Sequence, residues 1–154
     1  MRIFTARRRG ERGNVFIEFA LVSLIMLPLF FGVIDYSRVF YYAAIAQGAA
    51  RAGTQYAVFQ APNEANTAAI TAAATADASN VQAAQSFTVT PTYWCICSNA
   101  VYPSTIACTG NCGTGVTMYT FSQVNTQLTF NTLFKYPLLP TSLTVNGQSI
   151  MRVR

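Results

Sequence analysis

Residues 14–42 read NVFIEFALVSLIMLPLFFGVIDYSRVFYY. From Val15 to Ile34 the chain carries one charge, Glu18, and at about 1.5 Å per residue this run matches a hydrocarbon core of about 30 Å. It reads as a transmembrane helix. Two other readings compete with it. A buried core helix would be shorter and would not follow an arginine cluster. A secretory signal peptide has the small-residue site Ala44-Ile45-Ala46 in its favour, but its apolar region is shorter, and here Asp35 and Arg38 separate the run from that site. Pro28 and Gly32 fall inside the run as tolerated breaks in a membrane helix.

Upstream, Arg2, Arg7, Arg8, Arg9 and Arg12 stand against Glu11, a net of +4 out of +5 for the whole 154-residue chain. The remaining 141 residues carry five basic and four acidic side chains. The basicity is therefore a short leader, and it places the N-terminal side of the helix in the cytoplasm. A nucleic-acid surface would spread Lys and Arg along a face, so no nucleic-acid partner is expected. Charged residues make up 10% of the chain against a typical value of about 25%, which suits a membrane or an assembly better than free solution. There is no histidine, so the usual near-neutral acid or base is missing. No cofactor, metal or catalytic constellation is expected, and the chain is not read as an enzyme.

Glu18 demands a reason. A carboxylate at the centre of a membrane helix costs about 2.5–3.5 kcal/mol and is a functional candidate by default. The alternative is a side chain that snorkels to the head groups.

Arg12-Gly13 followed by Asn14-Val15-Phe16-Ile17-Glu18-Phe19 and an apolar run resembles the cleavage signal of type IV prepilins. Glu18-Phe19-Ala20-Leu21, with Gln47-Gly48-Ala49-Ala50-Arg51-Ala52-Gly53-Thr54-Gln55-Tyr56-Ala57 further on, is similar to the TadE-like minor pseudopilins of Tad/Flp (tight adherence) pilus systems. The likeness covers residues 7–57. It departs from the commonest pattern in Phe19, where tyrosine is usual, and in Asn14 as first mature residue. The resemblance implies cutting by a prepilin peptidase between Gly13 and Asn14, and it implies that Glu18 sets register by neutralising the new amine of a neighbouring subunit. The implied partners are other pilins and pseudopilins, the pilus assembly machinery, the peptidase and the lipid bilayer. The implied place is the bacterial inner membrane, with an extracytoplasmic C-terminal head, or the extracellular pilus.

Beyond the run, Tyr42, Ile45, Ala49, Ala52, Tyr56 and Phe59 recur every three or four residues, with Gln47, Arg51, Thr54 and Gln55 placed opposite, the pattern of an amphipathic helix. The first five are candidate helix-packing positions, against partner subunits or against the chain's own head. Small residues such as Ala46, Gly48 and Gly53 let another helix come close. Asp35 and Arg38, three apart, mark the membrane interface and suit a local pair. After Pro62, Asn63-Glu64 opens a second, alanine-rich helix to about Ala84, laid on a sheet.

From Ser86 the period changes to two. Phe87, Val89, Tyr93 and Cys95 suggest one strand, Val124, Leu128, Phe130 and Leu133 a second, and Leu143, Val145 and Ile150 to Val153 a third, with Asn146-Gly147 as a turn or bulge. Pro137 and Pro140 separate the last two. The expected class is α+β, an antiparallel sheet beside helices. The expected divisions are 1–13 leader, 14–60 membrane and amphipathic helix, and 61–154 head.

Cys95, Cys97, Cys108 and Cys112 all fall in the part placed outside the cytoplasm, where disulfides form. Zinc is disfavoured because neither pair has C-x2-C spacing. Cys95 and Cys97 are poorly placed to join each other, so each is expected to pair with Cys108 or Cys112, and a hairpin would nest them as 95 with 112 and 97 with 108. Trp94, Tyr102 and Tyr119 around this loop form either an adhesive tip or a small core. The competing function is an uncleaved, membrane-anchored binding module, and a distant third is a small periplasmic enzyme.

Overall fold

The computed structural model describes residues 11–59, 65–82, 86–134 and 140–153. The arginines at 2 and 7–9, the helix start at Asn63-Glu64, Pro62, Ala84 and Pro137 lie outside the described residues. The first helix, α1, runs unbroken from Glu11 to Phe59. It contributes to two compact units, one ending at Ser37 and one beginning at Arg38.

In the first unit α1 is apolar on every side, and Phe16, Phe19, Leu24, Ile25 and Phe30 are all exposed. Its hydroxyls bond inside the helix, Ser23 Oγ to Ala20 O at 2.9 Å and Ser37 Oγ to Ile34 O at 2.7 Å. Such back-bonding satisfies a donor without water.

In the second unit α1 lies on a three-stranded antiparallel sheet of order β1-β2-β3, with β1 at Ser86–Cys97, β2 at Met118–Asn131 and β3 at Ser142–Arg152. Ala46, Ala49, Ala50 and Ala57 are fully buried. Their small side chains bring the helix backbone down onto the strands. A Cβ on Gly53 would sit 3.2 Å from Val124 Cγ2 and 3.3 Å from Ala74 Cβ. One core cluster joins Ala46, Ala49, Leu128 and Phe130 with Tyr42, Ile45 and Val145, and a second joins Ala57, Ile70 and Val124 with Tyr56 and Val89. Tyr42, Ile45, Ala49 and Tyr56 of the face that periodicity selected thus pack on the chain's own head, whereas Phe59, at the helix end, is exposed.

The second helix, α2, spans Thr67–Asp77 and is capped by Asn66, whose Oδ1 accepts from the Ala69 N–H at 3.1 Å. It is shorter than expected. The chain turns at Ala78 into the single turn α3, Ser79–Gln82. Ile70 and Ala74 are its buried residues, and Ile70 meets Val124 of β2, so the helix does lie on the sheet.

Three strand expectations need correction. Leu133 falls beyond β2, and Val153 beyond β3. Asn146-Gly147 is neither turn nor bulge, because β3 passes straight through it in register with Gln127 and Thr126. Gly147 is there for closeness: a Cβ would overlap the Ala46 carbonyl and stand 2.6 Å from Thr126 Oγ1.

Candidate assembly helix and disulfide lobe

Gly13, Asn14 and Glu18 all lie in the opening turns of α1, helical and exposed. Asn14 and Glu18 are four apart, so they share a face and are separated by about 6 Å along the axis. Nothing lies within 4 Å of where a Gly13 Cβ would stand. Beyond them, each large apolar side chain left in water forgoes about 1.5–3 kcal/mol of burial. A helix exposed in this way needs lipid or other helices around it. The helix is long and apolar enough to cross a membrane. A shallow groove of about 410 Å³ runs along it, lined by Phe19, Met26, Phe30 and Val33 among others.

Where the second unit begins, Arg38 donates to Asn131 O and to Tyr42 Oη, both at 3.3 Å. Its guanidinium lies 5.6 Å from the Tyr42 ring centre and 5.7 Å from that of Phe130. Tyr42 and Phe130 are in turn 4.5 Å apart. Asp35, one turn earlier, is buried.

Of the five packing candidates, Tyr42, Ile45 and Ala49 meet the first core cluster and Tyr56 the second, while Ala52 is half-buried. Two residues assigned to the solvent side are used otherwise. Thr54 is fully buried and its Oγ1 lies 2.8 Å from Ser149 Oγ on β3. Gln47 reaches the open edge of β3, where its Nε2 donates to Gln148 O at 2.7 Å and its Oε1 accepts from Gln148 N at 3.2 Å. One amide thereby replaces a missing strand at that position, a way of blunting a sheet edge. Sequence reasoning overlooked Ser149 and Thr126, and took Gly147 only for part of a turn or bulge. The only signal for them was the row of small and hydroxyl residues facing the helix, with Thr126 Oγ1 donating to Ala46 O at 2.7 Å.

The four cysteines form two disulfides, Cys95–Cys108 and Cys97–Cys112. The nested order is therefore corrected. After β1 the chain doubles back at once, and Ile106 bridges Cys95 with its N–H on Cys95 O at 2.9 Å. That return brings Cys108 to Cys95, and the later Cys112 is left for Cys97. With no free thiol present, the zinc alternative falls away. The aromatics divide. Trp94 stacks on Phe121 with centres 6.1 Å apart, and Arg152 covers Tyr119 at 4.7 Å. Tyr102 is 68% exposed.

The chain thus comprises an apolar helical unit and a disulfide-linked α+β unit. Residues 13–55 match the family described as TadE-like protein, consistent with a TadE-like pseudopilin of the Tad/Flp system. The match begins at Gly13 and takes in Glu18 together with Ala46, Ala49 and Thr54 of the helix face that covers the sheet. No curated protein and no solved structure matches the chain.

Proposed function

We propose that this chain is a minor pseudopilin that takes part in assembling a Tad/Flp-type pilus, cut by a prepilin peptidase after Gly13. The observation that carries this reading is the family match over 13–55 coinciding with an apolar run, Val15 to Ile34, whose one carboxylate, Glu18, sits four residues after Asn14. Cleavage would free an α-amino group on Asn14. A neighbouring subunit's Glu18 could then neutralise that amine within a low-dielectric bundle, where an unpaired carboxylate is costly. Loss of the leader would also remove the arginines that hold the helix end at the cytoplasmic face. The work so described is assembly rather than turnover of a substrate, and the head is directed out of the cytoplasm.

The test is the intact mass of the protein from cells with and without the peptidase. A chain beginning at Asn14 only when the peptidase is present supports the proposal. A chain that keeps its leader in both cells sinks it and leaves the uncut, membrane-anchored binding module.

A further inference from the structure

The face of the sheet turned away from α1 has an unusual chemistry. Over its middle, the outward side chains are amides and hydroxyls, with Thr90 on β1, Asn125 and Gln127 on β2, and Asn146 and Gln148 on β3 lining a groove of about 460 Å³. Among the described residues, no charged one lines it. The amides are held in place: Asn125 Oδ1 accepts from Gln123 Nε2 at 2.9 Å and from Gln148 Nε2 at 3.0 Å. Two donors on one acceptor leave the Asn125 amide N–H groups and both glutamine carbonyls directed to other partners.

A second groove, of about 310 Å³, is lined by Gln123, which lies about 7 Å along β2 from Asn125 of the first groove and is hydrogen-bonded to it. Its other walls are Thr92, the Trp94 ring and the loop residues Tyr102, Pro103 and Thr105. The Cys95–Cys108 disulfide ties this loop to β1. An aromatic ring kept in water on a stapled loop, beside fixed uncharged amides, is an arrangement with a ligand chemistry of its own. Sugar rings offer an apolar C–H face for an aromatic and adjacent hydroxyls for an amide that both donates and accepts.

We infer that this outer face binds a neutral glycan, with one sugar ring against Tyr102 and Trp94 and the following sugars along Gln123, Asn125 and Gln148. Among the described residues neither groove is lined by Lys or Arg, which argues against a nucleic-acid strand or an acidic polysaccharide. A second sheet would need an apolar face to pack on. The inference does not depend on cleavage after Gly13 or on pilus assembly.

Trp94 is the sole tryptophan, so its fluorescence reports the site directly. The full chain, held in a sugar-free detergent, is titrated with cellohexaose, maltohexaose and mannohexaose, and with hexagalacturonate as the charged control. The expected result is a saturable change in Trp94 emission with at least one neutral hexaose. Tyr102→Ala and Asn125→Ala should each weaken it about tenfold, with both disulfides still present by mass. Three results would overturn the inference: no response to any neutral hexaose up to about 10 mM, ten times a weak constant of about 1 mM; binding of hexagalacturonate alone; or unchanged affinity in both variants.

Discussion

Gly147 and Thr54 carry the contact between helix and sheet, and each does so through an atom that is absent or polar. Gly147 lacks the methyl group that would run into the Ala46 carbonyl. Gly147→Ala should therefore destabilise the head by about 3 kcal/mol, near the upper end for overpacking because backbone gives way less than a side chain. Gly32→Ala is the matched control, since nothing lies within 4 Å of its Cβ position. Thermal unfolding followed by circular dichroism in detergent compares the two, and an equal melting temperature for both would refute the steric account. Thr54 shows why part of the seam was hidden in the sequence. Periodicity sorts by polarity, so a threonine that bonds Ser149 inside the core was read as a solvent residue. Gln47 misled for the same reason, as its amide completes a strand edge. Among the inward alanines, Ala49 was legible from its spacing, whereas Ala46, Ala50 and Ala57 fall outside the apolar spacing that was read.

At the scale of elements, regular periods were readable and the irregular lobe was not. Alternation located the three strands because one face of each is buried. It misread Asn146-Gly147 because a turn-like pair can sit inside a strand when a helix backbone needs the room. Residues 98–117 have no period, so the cysteine order had to wait for the Ile106 bridge that turns the chain back on Cys95. The links close sequence separations of 13 and 15 residues. A loop of that size restrains the unfolded chain by about 3 kcal/mol. Cys97→Ser with Cys112→Ser should lower head stability by about that amount in denaturant titration, while the β2–β3 pairing, far from the lobe, keeps its amide-exchange protection. Stability equal to that of the parent chain would show that the second link restrains nothing. Non-reducing peptide mapping of the parent should recover 95 joined to 108.

For the molecule as a whole, the division at Ser37 and Arg38 assigns the last 22 residues of α1 to the head rather than to an anchor. A fragment beginning at Arg38 keeps Ala46, Ala49, Thr54 and Ala57 over the sheet and should unfold cooperatively without detergent. A fragment beginning at Ala61 uncovers Val124, Leu128 and Phe130, each worth about 1.5–3 kcal/mol of burial, and should show no cooperative transition; cooperative unfolding of both fragments would refute this division of labour. The apolar first unit is long and apolar enough to cross a membrane, and under the proposed function it also meets neighbouring subunits; Glu18 is the residue in it that a plain anchor would not need. Under the proposed function its carboxylate meets the Asn14 amine of a neighbour, which separates insertion from assembly. Glu18→Ala removes a charge that costs about 2.5–3.5 kcal/mol at a membrane centre, so membrane extraction should find it inserted at least as well as the parent. Pilus yield should fall, because the partner's amine then stays charged and unpaired in the bundle. Normal piliation by that variant would dismiss Glu18 as the register residue, whereas a failure to insert would mean that the carboxylate serves the membrane interface instead.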